Sequence, residues 1–264
     1  MMAWVYALPA WILIPSVVLV SCALTGLALH LTRERLTRND LITHNDVAGS
    51  ILGMLGTVLA VMMSFMVAGV WHDYDDAGQN TLVEAGALSD LYHIASVLPQ
   101  PSRGQIQAGV DEYMSLLLTE EWPLMKQGGE SLRAHDAAYR LQAIVANTKA
   151  TTPQAGLIQS QALAFASRFL DARRQRIRDN MTGIPNVLWS AMLAVGLITI
   201  FFSFYFKVDR PFAQHIMVAA LTAVISLIFM LIAELDYPFR GDIAIQPVAY
   251  MHTYQVMHNR GLEP

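Results

Sequence analysis

Glu84 stands among small and apolar neighbours in the run Glu84-Ala85-Gly86-Ala87-Leu88, and far along the chain Arg168, Arg173, Arg174, Arg176 and Arg178 crowd one short segment. A carboxylate on an apolar helix face calls for a cationic partner, because an unpaired buried charge is costly. If the helices bearing these groups run antiparallel, Glu84 is level with Arg173 or Arg176. Two readings follow. Glu84, Arg168, Arg173 and Arg176 belong either to structural ion pairs or to a vestibule that draws anions toward a conducting path.

Nothing else in the sequence builds a catalytic constellation. There is no Gly-rich phosphate loop, no His-Glu-x-x-His pair and no Gly-x-Ser-x-Gly elbow. The pairs Asp75-Asp76 and Glu120-Glu121 are adjacent rather than facing, so they read as solvated surface or as a cation-binding rim. His252 and His258 are spaced wrongly for one helical face, and the single cysteine, Cys22, excludes an intrachain disulfide and a zinc site built on several thiolates. The expectation is no catalytic residue, no cofactor and no metal.

A second pattern concerns packing. Gly49, Gly53, Thr57, Ala60, Ser64 and Ala68 recur at intervals of three and four, which puts one small-residue stripe down a helix. Such a stripe lets another backbone approach closely, within the subunit, across a subunit contact or along a pore. Phe65, with Met62, Met63 and Met66, could form a hydrophobic constriction beside it.

The elements that position these residues follow from hydropathy. Of 264 residues 54% are hydrophobic and only 14% charged, about half the charged share of a soluble domain, which points to lipid. Four stretches free of Lys, Arg, Asp and Glu, at 4–31, 47–71, 187–206 and 212–233, each suit a crossing of the ~30 Å hydrocarbon core. The first is too long for a signal peptide's apolar core and no basic residue precedes it, so it reads as a retained span. Asn45 or Asp46 suits the N-cap of the second. Between the second and third spans lies a helical soluble domain, 72–185, with helices near 76–97, 103–119, 131–148 and 154–183. Ile106, Val110, Tyr113 and Leu117 mark an apolar face on one, and Ile158, Phe165, Phe169, Ile177 and Met181 on another. The expected fold is thus all-α, in three parts: a transmembrane hairpin, 1–71; the inserted domain; and 186–264, a second hairpin closed by the turn Lys207 to Pro211 and followed by a polar, partly irregular tail. With little to break them, the second and third spans should continue into the domain as long rods.

Seven short motifs occur in order: Asn45 to Gly49; Trp71-x-x-Tyr74; Glu84-Ala85 followed by Leu91-Tyr92 and Leu98-Pro99; Glu121-Trp122-Pro123; Arg168 with Asp171-Ala172-Arg173-Arg174; Ile184-Pro185-x-x-Leu188-Trp189; and Leu235-Asp236-x-Pro238-Phe239-x-Gly241. Over essentially the whole chain the sequence resembles the bestrophin-like domain family, mostly bacterial membrane proteins distantly similar to bestrophins. Bestrophins are pentameric anion channels with four spans and a large helical region between the second and third. The resemblance implies a multi-pass protein of the bacterial inner membrane, a homo-oligomer, and conduction of a small inorganic ion, an anion by analogy. A bestrophin-style run of paired phenylalanines is missing from the second span, where Phe65 stands alone.

The competing reading is a non-conducting protein that senses or recruits a partner through its soluble domain. A net charge of −4 and the lack of a basic tract argue against nucleic acid. Near the span ends the basic residues tie. Arg33, Arg35, Arg38, Lys207 and Arg210 lie on one side; Arg173, Arg174, Arg176, Arg178 and Arg240 lie on the other. The bestrophin resemblance implies a cytosolic soluble domain, whereas the usual dominance of the first helix leans the tie slightly toward an external one.

Overall fold

A computed structural model describes residues 9–35, 45–148, 152–206 and 210–258. All regular structure among them is helical: α1 (Ala10–Arg35), α2 (Asn45–Ala95), α3 (Ser102–Leu116), α4 (Trp122–Met125), α5 (Leu132–Ala146), α6 (Pro153–Met181), α7 (Asn186–Phe202), α8 (Pro211–Leu235) and α9 (Val248–His258). Four stretches are long and apolar enough to cross a membrane: Ala10–Thr32, Val47–Ala95, Pro153–Tyr205 and Pro211–Leu235. The side chains of Arg33, Arg35, Asn45 and Asp46, and residues Arg38 and Lys207 to Asp209, lie outside the described residues.

The chain divides into two compact units, Met1–His72 with Ile184–Asp236, and Asp73–Gly183 with Tyr237–Pro264. In the first, α1 packs along α8, and Cys22 Sγ donates to the Ala219 carbonyl at 3.4 Å. Pro15 sits within α1 without ending it, where the Ser16 hydroxyl donates to the Ile12 carbonyl at 2.7 Å. A 3₁₀ turn, Ser203–Tyr205, closes the third span. There Gln214 Nε2 donates to the Phe206 carbonyl at 2.9 Å, covering an acceptor that the helix end leaves over.

Rod continuity differs between the two central spans. α2 runs 51 residues without a proline and stops shortly before Leu98-Pro99. Between α6 and α7 the chain leaves the helix at Thr182–Pro185, because Pro185 disfavours the helical region for Ile184 and supplies no N–H. The orphaned Ile184 N–H donates to Asp236 Oδ1 at 2.6 Å, so residues of two sequence motifs meet in space.

In the second unit Ile106, Val110, Tyr113 and Leu117 are fully buried. The α6 face is less uniform: Phe169 and Ile177 are in the core, Ile158 and Phe165 lie at its edge, and Met181 is half exposed. The tail departs most from expectation. It belongs to this unit, and Phe239, Tyr250 and Met257 are buried in its core while α9 lies against α3. The helix is only eleven residues long and its apolar residues lie on every face, so the segment shows no visible period. Gly128, at φ +81, closes the turn after α4; a Cβ there would sit 2.6 Å from Arg240 Nη2, so its lack of a side chain is used twice.

Candidate functional site

Pro123 is where the site begins. Its ring cannot donate to the carbonyl four residues back and would collide with it, so a regular α-helix cannot pass through Thr119 to Pro123. The chain widens into a π turn, Leu117–Glu121, with the Trp122 N–H bonded to the Leu117 carbonyl. The widened turn places Glu121 and Trp122 in the core, while Glu120 stays at the surface and pairs with Arg133. The reading of Glu120-Glu121 as a solvated pair is therefore corrected for Glu121, which is 0% exposed. Adjacent residues on a helix point about 100° apart, and only one of them can be solvated here.

Around Glu121 converge a second carboxylate and two guanidiniums. Arg176 Nε donates to Glu84 Oε2 at 2.7 Å and Nη2 to Glu84 Oε1 at 3.1 Å. The same Nη2 reaches Glu121 Oε1 at 2.7 Å, and Arg173 Nη2 donates to Glu121 Oε2 at 2.5 Å. Tyr113 donates to Glu84 Oε1 at 2.5 Å, and Tyr250, from the tail helix, donates to Glu84 Oε2 at 2.9 Å. Trp122 and Tyr250 rings flank the Arg176 guanidinium at 5.7 and 5.9 Å. None of these groups is more than 3% exposed. Two carboxylates face two guanidiniums, so the cluster is neutral and joins α2, α3, the π turn, α6 and α9.

Its protonation follows from burial and neighbours. Burial pulls the Arg176 pKa down, but Glu84, Tyr250, Tyr113 and Glu121 more than offset it, and the group titrates well above its ordinary range. Burial, then the Glu84 charge, hold the Tyr113 and Tyr250 phenols well above 10. The folded phenols thus hold their protons more tightly than unfolded ones. Their contribution is complete below pH 10 and is lost as pH rises from there through the folded values. Alkaline titration of the melting temperature should therefore fall above pH 10, and less steeply in Tyr113→Phe/Tyr250→Phe; equal slopes would count against the buried phenols.

No group of three His, Cys, Asp or Glu suited to a metal occurs among the described residues. Of the residues singled out from sequence, Glu84, Arg173 and Arg176 come together here. Arg168 does not: it is exposed at a separate groove between α2 and α6. Burial and neutralisation leave Arg173 and Arg176 no surface from which to draw anions. The small-residue stripe lies elsewhere and is bare. Gly49, Gly53, Thr57, Ala60, Ser64 and Ala68 are all exposed, Phe65 is 76% exposed, and on other faces of α2 Leu59, Met63 and Val70 are buried. Thr57 and Ser64 spend their hydroxyls on the Gly53 and Ala60 carbonyls. Met62, Met63 and Met66 do not share the bare face with Phe65. Glu121, Tyr113, Trp122 and Tyr250 were not foreseen as members of the site. Only Glu121-Trp122-Pro123, an acidic-aromatic-proline run, offered a signal.

A sequence model described as a bestrophin-like domain matches residues 17–250. Among solved structures, a bacterial bestrophin homologue from Klebsiella pneumoniae, phased with zinc, is 12% identical with a TM-score of 0.71, over 95% of this chain and 100% of that one. A mutated form of the homologue gives 11% identity and a TM-score of 0.72, over 94% and 99%. At such identities the likeness is one of fold. No curated protein matches.

Proposed function

The chain belongs to the bestrophin-like domain family, and from that premise we propose that it assembles into a homo-oligomeric membrane pore for a small inorganic ion, with α2 along the path. The observation that carries this reading is the bare stripe. Glycine inside a helix costs roughly 1 kcal/mol relative to alanine unless close packing recovers it; of the stripe's two glycines, Gly53 has no neighbour within 4 Å of an added Cβ and Gly49 meets only the Phe206 ring at 3.9 Å, and Gly56 and Gly69 elsewhere on α2 also meet nothing. Lipid offers no such packing. A second copy does, and uncharged spans suit a pore better than a proton-coupled carrier. The ion's sign follows the family resemblance, an anion, with no support from Arg173 or Arg176.

Reconstituted in liposomes, the protein should release chloride, and Gly53→Leu should lower both that flux and the particle mass by light scattering. Absence of flux at varied voltage, pH and Ca²⁺, together with a stoichiometric protein partner held by residues 72–185, would instead favour the interaction reading. For orientation, the basic residues near the span ends tie, and the usual dominance of the first helix leans toward a helical unit outside. In a Cys22→Ala background, a cysteine replacing Gln127 should then react with an impermeant maleimide on intact cells, and its protection would reverse the placement.

A further inference from the structure

Between α2 and α6, within the helical unit, runs an open groove of about 780 Å³ lined among others by Asn80, Val83, Ala164, Ser167, Arg168 and Arg178. Its charge is positive. Arg174 is paired with Asp171, Arg178 donates to the Gln175 amide oxygen and acts on the nearby Asp179 carboxylate, and Arg168 has no partner among the described residues. Beside the groove, α2 shows a face of opposite character. Asp75, Gln79, Leu82, Gly86 and Asp90 follow one another at three and four residues, all exposed, and no Lys or Arg interrupts them. Asp75 and Asp90 have no partner among the described residues, Leu82 is 55% exposed, and a Cβ on Gly86 would meet nothing within 4 Å.

Level decides whether the two surfaces can meet. Arg176 is bonded to Glu84 and Asp179 to Asn80, so along this antiparallel pair Arg168 is level with position 92 of α2. Asp90 lies two residues away, about 3 Å along the axis. In a ring whose symmetry axis runs along these helices, every copy holds a residue at the same level, so groups that meet across a head-to-tail contact must share one. Asp90 and Arg168 do. Leu82 likewise comes level with Val83 in the groove, and Arg178, about 10 Å along the axis from Asp75, has the long side chain needed to slant toward it.

We propose that the groove between α2 and α6 receives the acidic face of α2 from a second copy of the chain, Asp90 of one copy pairing with Arg168 of the next. This rests on the homo-oligomer reading above and adds to it the surface and the direction of contact. The contact is heterologous: each copy gives its acidic face to one neighbour and its adjoining groove to the other, which leaves no free end where the rotation closes into a ring.

The test uses the full chain in detergent. Arg168→Glu alone and Asp90→Arg alone each place like charges together and should raise the concentration of half-dissociation roughly tenfold, whereas the double variant restores the pair and the assembly. All these positions are exposed, and unchanged far-UV circular dichroism checks the fold. Independently, in a Cys22→Ala background, Asp90→Cys combined with Ser167→Cys should give a ladder of cross-linked species with a short bis-maleimide, and neither cysteine alone should give any. Dimers from a single cysteine would mean an isologous contact and overturn the proposal. A stable oligomer that ignores both charge reversals and yields no ladder would overturn it while leaving the oligomer reading intact. A monomeric wild type would remove both.

Discussion

Replacing Arg176 by methionine is expected to cost about 3–5 kcal/mol and to lower the melting midpoint in detergent by roughly 10 °C or more. The side chain is fully buried and holds two carboxylates at once, Glu84 through Nε and Nη2 and Glu121 through Nη2. Methionine fills much of the volume but leaves Glu84 facing Glu121 with only Arg173 between them in charge. The loss therefore comes less from the pair itself than from the uncompensated carboxylate left in a site sealed from water. Two controls separate this from packing. Arg174→Met, at the surface and paired only with Asp171 and Tyr139, should leave the melting midpoint where it is. Arg176→Met combined with Glu84→Gln should recover part of the loss, since the second change removes the stranded charge. An Arg176→Met protein that melts with the wild type would mean that the network does not hold the helical unit together.

How far the sequence foretold this site depends on the kind of signal each residue leaves. Four apolar stretches, the insertion between the second and third, and the long second rod are legible because hydropathy and helical period act over many residues. Glu84 is legible as well, since a lone carboxylate on an apolar face requires a cation and the antiparallel arrangement leaves few to choose from. Glu121 is not. A regular 3.6-residue period carries the stripe Ile106, Val110, Tyr113 and Leu117 on to Glu120 and Glu121 alike, and which of the two turns inward depends on the widened helix that Pro123 forces. Tyr113 has an ordinary place in an apolar stripe, and only the fold shows that its hydroxyl ends on Glu84. The bare stripe on α2 was legible as a stripe. Which neighbour it lacks is a property of the three-dimensional unit, where Leu59, Met63 and Val70 are covered and the glycines are not.

The tail helix supplies the second large effect. Ending the chain after Asp242 removes α9, and with it Tyr250 and Met257, which are 0% and 3% exposed. Each buried side chain of this size contributes roughly 1.5–3 kcal/mol through the surface it keeps from water. Beyond that, Glu84 loses the Tyr250 hydroxyl, and the Trp122 ring, 5.5 Å from Tyr250 across an edge-on contact, loses one wall. Ordering eleven helical residues opposes folding, so the net is smaller than the sum, but the loss falls where five elements share one buried hydrogen-bond network. The truncated protein should melt well below Tyr250→Phe, which removes only a hydrogen bond to a charged group at about 1.5–3 kcal/mol. Limited proteolysis distinguishes a lost appendage from a lost wall. If α9 closes the core, new cleavage should appear between Glu121 and Leu132, where the π turn and α4 depend on Trp122. Cleavage confined to the residues just before the new end, with an unchanged midpoint, would show that the unit closes without its tail.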